Sequence, residues 1–127
     1  MKEERQAVAG WDRIQDILIS INGVNSLNGA HGSEKRIPVV KVRVKSIFNG
    51  KETFGWAYLS ASKKCILVLI REKTNEGMAG STVIPVYEWR HIFVFRENPY
   101  FEEIELLTEE ISMFDFSGKQ LIPAQNL

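Results

Sequence analysis

The chain has 127 residues, 44% of them hydrophobic and 25% charged, the size and balance of one globular domain able to bury a core. Sixteen basic residues cancel sixteen acidic ones, so no global field draws the molecule onto nucleic acid or an anionic membrane, and any such binding must come from a local patch. The single Cys65 excludes an internal disulfide and a Cys-x-x-Cys metal knuckle, and it points to a reducing compartment.

The opening MKEERQAVAG carries no apolar stretch of signal-peptide length, and the run Cys65 to Ile70 is too short to cross a bilayer. A cytosolic or nuclear location without membrane contact is therefore expected. Trp11, Ile14, Ile17, Leu18 and Ile21 recur at helical spacing behind Asp12 and predict an amphipathic helix of about three turns. A strand through Ile17, Ile19 and Ile21 is the competing reading. From Asn22 to Arg36 the residues are mainly Asn, Gly, Ser, Ala and His, a composition that predicts a long mobile loop.

Val40, Val42 and Val44 then alternate with Lys41, Arg43 and Lys45, the pattern of a half-buried strand. Asn49-Gly50 predicts a two-residue hairpin turn into an antiparallel strand from Glu52 to Leu59. There Phe54, Trp56 and Tyr58 share one face, and Gly55 marks a bend, a bulge or a close neighbour. Past a polar corner at 60–64, Cys65 to Ile70 is apolar on both faces and reads as a central strand. Arg71 to Gly80 is charged and reads as a surface loop. Thr82 to Tyr87 and His91 to Arg96 complete five strands, and Pro85 favours a sheet edge or a strand end.

After Asn98-Pro99, Phe101, Ile104, Leu107, Ile111 and Phe114 recur with five glutamates between them. The Asn cap, the Pro at the first helical position and the early acids predict a helix. An extended reading of Ile111 to Ile122, turning at Ser117-Gly118, competes for the end of this segment.

The segments KVRVKSIFNGKETFGWAYLSASKKCILVLI and STVIPVYEWRHIFVF resemble the strands of the Sm and LSm family, whose order is a helix followed by five short, strongly bent antiparallel strands. The likeness covers roughly residues 10–97; the segments resemble especially the divergent LSm domains of ataxin-2 type, and VRV, a polar turn and then GW are also similar to the Gemin-type Sm-like subunits. It implies a mainly β fold: a single domain built as an Sm-like five-stranded strongly bent open barrel, with an N-terminal helix, the loop at 22–36 and a helical or mixed C-terminal extension over 98–127. RNA-binding members of the family resemble one another in an Asp-x-x-Met-Asn run and an Arg-Gly pair. The matching positions here are Ser62-Lys63-Lys64-Cys65-Ile66 and Glu88-Trp89, so the groups that would hold uridine are missing.

The resemblance thus implies a non-catalytic protein-interaction subunit of an RNA-processing or ribonucleoprotein assembly. Its partner, another Sm-like subunit or a second copy of itself, would bind by strand addition. The residues expected at that edge are Thr82, Val83, Ile84, Val86, Ile92, Phe93, Val94 and Phe95, with Trp89 as an anchor or as a core-closing side chain. The alternatives are a small barrel that binds nucleic acid through Lys41, Arg43, Lys45, Lys63 and Lys64, or an SH3- or PH-like peptide-docking module. No cofactor or metal is expected: His31 and His91 have no second ligand at a useful spacing, and the glutamates from Glu102 to Glu110 suit a solvated helix face better than a catalytic pair. An aromatic platform of Phe54, Trp56 and Tyr58 more readily builds a core than stacks on bases.

Overall fold

A computed structural model describes residues 7–27, 36–97 and 100–123. One helix, α1 (Trp11–Leu27), precedes six strands: β1 (Arg36–Ser46), β2 (Glu52–Leu59), β3 (Cys65–Ala79), β4 (Thr82–Phe95), β5 (Phe101–Asp115) and β6 (Gln120–Ile122). All pair antiparallel in one sheet of order β4-β3-β2-β1-β5-β6, curled into an open half-barrel. The fold is mainly β.

The predicted apolar spacing puts Trp11, Ile14, Leu18 and Ile21 on one face of α1, all buried. Each contributes about 1.5–3 kcal/mol of hydrophobic stabilisation. They pack on Val40, Val42 and Val44 of β1, Ala57 and Leu59 of β2, Ile66, Val68 and Ile70 of β3, Val94 of β4 and Ile104 of β5. Trp11 Nε1 donates to the Val94 carbonyl at 2.8 Å, so the indole is satisfied while buried.

The entry to α1 is stitched into the sheet. Val8 N donates to the Arg96 carbonyl (2.7 Å), Ala9 N to that of Glu102 (2.9 Å), and Ile104 N to that of Ala9 (2.9 Å). Gly10 follows at φ +85°, and a Cβ there would strike the Ile104 carbonyl. Both the backbone angle and the close approach demand glycine. Asp12 and Arg96 close the same corner with two hydrogen bonds, at 2.9 and 3.3 Å.

The opposite sheet face carries a second core. Val39, Leu69 and Phe114 are buried there, with Ile37, Trp56, Tyr58, Trp89, Phe116 and Leu121 packed around them. Two cores require both faces of β1 and β3 to be apolar, as the adjacent buried pairs Val39/Val40 and Leu69/Ile70 are.

Several sequence expectations are corrected. Helix α1 runs on to Leu27, so residues 22–27 of the expected loop are helix, and 28–35 lie outside the described residues. The β1–β2 hairpin forms, but only Gly50 of the Asn-Gly pair has positive φ. The connection is longer than two residues and is closed by Ser46 N to Lys51 O (2.9 Å) and Gly50 N to Ser46 O (3.2 Å). Residues 71–79 are strand, not loop, pairing with 82–89 as a long arm that β2 does not back, because the β2–β3 ladder stops at Trp56↔Leu69. The two strands expected within 82–96 are one, and residues 101–115 form a strand instead of a helix, with a sixth strand after the turn at 116–119. Where five strands of an open barrel are expected, the described residues form an open half-barrel of six.

Candidate protein-interaction site

β4 is a sheet edge, and the register tells which of its backbone groups are unused. Ser60 N donates to the Cys65 carbonyl (2.9 Å), so the backbone groups of Cys65 face β2. Groups alternate along a strand, so Ile66 faces β4 instead, and its opposite number Val94 faces back. Continuing the alternation, even-numbered β4 residues bond β3. The odd-numbered ones, Val83, Pro85, Tyr87, Trp89 and His91, turn their backbone groups outward. The only register shift against β4, between Lys73 and Asn75, adds its residue to β3 and leaves this parity intact. Pro85 therefore occupies a position whose missing N–H costs the β3–β4 ladder nothing.

Side chains along this edge are apolar and exposed: Val83 (52%), Phe93 (55%) and Phe95 (50%) lead, with Ile84, Val86 and Tyr87 also exposed. Of the residues expected at a docking edge, Thr82, Val83, Ile84, Val86, Phe93 and Phe95 are exposed on β4, Ile92 is half-buried, and Val94 is buried against α1. All nine belong to one strand, so no junction exists for Trp89 to occupy. Its indole instead packs edge-on against Trp56 (5.7 Å between centroids) and Phe114 (5.0 Å), and Nε1 donates to the Lys119 carbonyl (3.0 Å). It closes the second core.

Strict alternation places Tyr87, Trp89, His91, Phe93 and Phe95 on the same face as Trp56 and Tyr58. Of these, Trp56, Tyr87, Trp89 and His91 join Phe114, Phe116 and the β5–β6 turn in bordering a cavity of ≈ 1050 Å³, rimmed by Arg71, Glu88 and Lys119. Arg71 lies over the Tyr87 ring at 4.5 Å. The His91 Nε2 and Tyr58 hydroxyl are 2.8 Å apart, and the imidazole lies parallel to the Phe116 ring. Burial among these rings lowers the His91 pKa and, with a smaller contribution from Cys65, raises that of Tyr58. The aromatic alternation from 87 to 95 was readable in the sequence; the parts of Phe114, Phe116 and Lys119 were not, since they arrive from β5 and its turn.

The basic residues do not form one open stripe. Arg43 is held by Glu103, by Glu105 at 2.9 Å and by Glu52 at 3.5 Å, and the first two hydrogen bonds raise its pKa. Lys45 faces Glu102 at 3.6 Å, and Lys41 lies over the Trp56 ring at 5.7 Å. Lys63 and Lys64 sit at the β2–β3 turn, at the other end of β2 from the Lys45↔Glu52 pair. Phe54 is 52% exposed, so the expected Phe54–Trp56–Tyr58 platform divides: two rings enter the second core and one does not.

Cys65 is buried, and burial raises its thiol pKa, which keeps it protonated and unreactive at neutral pH. Among the described residues no group of three His, Cys, Asp or Glu is placed to hold a metal ion, and no helix is long and apolar enough to cross a membrane. His31 lies outside the described residues. No protein-family model, curated protein or solved structure matches the chain.

Proposed function

We propose that this domain is a non-catalytic protein-interaction module that receives an added strand along the open edge of β4. The observation that carries the reading is the juxtaposition on that edge of outward backbone groups from Val83 to His91 with the exposed side chains of Val83, Ile84, Val86, Tyr87, Phe93 and Phe95. Strand addition draws affinity from main-chain hydrogen bonds and specificity from alternate side chains, and this edge offers both. Edges meant to stay single are blunted by lysines, prolines or bulges; β4 contains no lysine, has its register bulge on β3, and carries its one proline, Pro85, near the Thr82 end, which leaves the outward groups from Tyr87 onward clear of it.

The finer reading is an Sm-like subunit of an RNA-processing or ribonucleoprotein assembly, in the cytoplasm or nucleus. It is supported by the leading helix followed by consecutive antiparallel strands, and by the long β3–β4 arm where that family has its variable loop. The absence of the uridine-holding Asn and Arg-Gly, and the acidic partners of Arg43 and Lys45, favour protein over RNA as the direct ligand.

Recovery of the tagged chain from its native extract, with and without Tyr87→Pro, tests both levels. The substitution removes an outward N–H that the fold does not use. Expected is a set of Sm-like or RNA-processing proteins that Tyr87→Pro loses while still folding. A set indifferent to Tyr87→Pro overturns the edge; a set without such proteins overturns the ribonucleoprotein setting.

A further inference from the structure

We infer that the occupant of the β4 edge is a second copy of this chain, paired antiparallel about a two-fold axis at Trp89, with Glu88 of each protomer against Arg90 of the other. The inference rests on the edge reading above and specifies its partner.

Three observations on one strand converge. The first is hydrogen-bond parity. A two-fold axis on an odd-numbered residue sets Trp89 opposite the partner's Trp89 and Tyr87 opposite the partner's His91, so outward groups meet outward groups. The missing Pro85 N–H then falls toward the end of the shared ladder, where it forfeits a bond without breaking the centre.

The second is charge. Glu88 stands directly across the β3–β4 ladder from Glu72, and Arg90 reaches back to Glu72 at 2.8 Å. That leaves Glu88 without an ion pair among the described residues, beside a like charge. A guanidinium has five N–H donors, enough to serve Glu72 and the partner's Glu88 together. The two-fold axis supplies this contact twice. Neighbouring registers fail: an axis on Glu88 or on Arg90 opposes like charges, and an axis on Tyr87 or His91 sets both charges against apolar residues.

The third is apolar matching. In the Trp89 register the exposed Val86 lies opposite the partner's half-buried Ile92, and the exposed Val83 opposite the partner's exposed Phe95, so apolar side chains are covered by their like.

Sedimentation velocity on the purified chain over a concentration series tests the inference, with Glu88→Arg, Arg90→Glu and the double exchange. Expected is a concentration-dependent dimer whose dissociation constant each single reversal raises about tenfold, two exposed ion pairs having turned repulsive, and which the double exchange restores. If a reversal fails to fold, Glu88→Gln serves, with a rise of roughly threefold on the same basis. A dimer insensitive to these changes overturns the register. A wild-type chain that stays monomeric throughout the series overturns self-pairing; if Tyr87→Pro still abolishes recovery of other proteins, edge docking itself stands.

Discussion

Trp89 on the edge strand β4 donates its indole N–H to the carbonyl of Lys119, 30 residues further along the chain, at 3.0 Å. The bond joins one edge strand to the turn before the other, β6, and so holds the curl of the sheet. Trp89→Phe keeps most of the packing and loses the hydrogen bond, and should cost ~1 kcal/mol. Trp89→Ala also strips the contacts with Trp56 and Phe114 and should cost ~3 kcal/mol. Urea denaturation of the three proteins gives both differences.

Gly55 fits because it has no side chain. A Cβ there would strike the Leu69 carbonyl and come within 2.7 Å of Val68 Cγ1 and 2.9 Å of Ile70 Cγ2. Gly55→Ala should destabilise by about 1–3 kcal/mol through overpacking between β2 and β3, seen as a lower denaturation midpoint with an unchanged slope.

Acid should weaken the fold through His91. Its pKa is lowered by burial, so the unfolded chain binds the proton more readily than the folded one. Its contribution is therefore complete above about pH 6.5, the ordinary histidine value, and is lost as pH falls through the lower folded value. Thermal melts from pH 8 to pH 5 should show a decline that His91→Phe reduces.

Arg43 is the counter-charge to Glu52, Glu103 and Glu105. Arg43→Gln leaves three carboxylates facing one another, so it should lower the melting temperature at low salt and recover part of the loss at 1 M salt, where repulsion is screened. In fluorescence anisotropy, single-stranded RNA should bind the wild type without a steep salt slope, because Arg43 and Lys45 already have anionic neighbours.

Cys65 should react slowly with a thiol reagent in the native protein and quickly in denaturant, since burial both hides the sulfur and raises its pKa. Native reactivity matching the denatured rate would place Cys65 outside the core.

The start of α1, the strands β1 and β2 and the apolar part of β3 were legible because each buries a face at a regular period. The arm at 71–79 was not: β2 does not back it, and without an apolar face against a core its charged residues look like a loop. The misreading of β5 has a sharper cause. Ile104 and Leu106 lie on the α1 face and Phe114 on the other core, and between them the register jumps from Val42↔Leu106 to Val40↔Ile111. Residues 107–110 thus stand against Lys41 alone. The break shifts the phase of a two-residue alternation, and Phe101, Ile104, Leu107, Ile111 and Phe114 then mimic helical spacing. At the edge site the exposed residues of β4 were expected from the open sheet edge that the resemblance implies, whereas the ion pairs of Arg43 and the place of Trp89 depend on β5 and its turn.

The stitching of Val8, Ala9 and Trp11 to Arg96, Glu102, Ile104 and Val94 also bears on how the molecule is made. A chain leaving the ribosome makes β1 and β2 soon after the helix, but the partners that fix its entry, from Val94 to Ile104, emerge only some ninety residues on, and contacts of such sequence separation are slow to close. Until they do, the helix rests on half its final bed, the interval in which a chaperone has the most to protect.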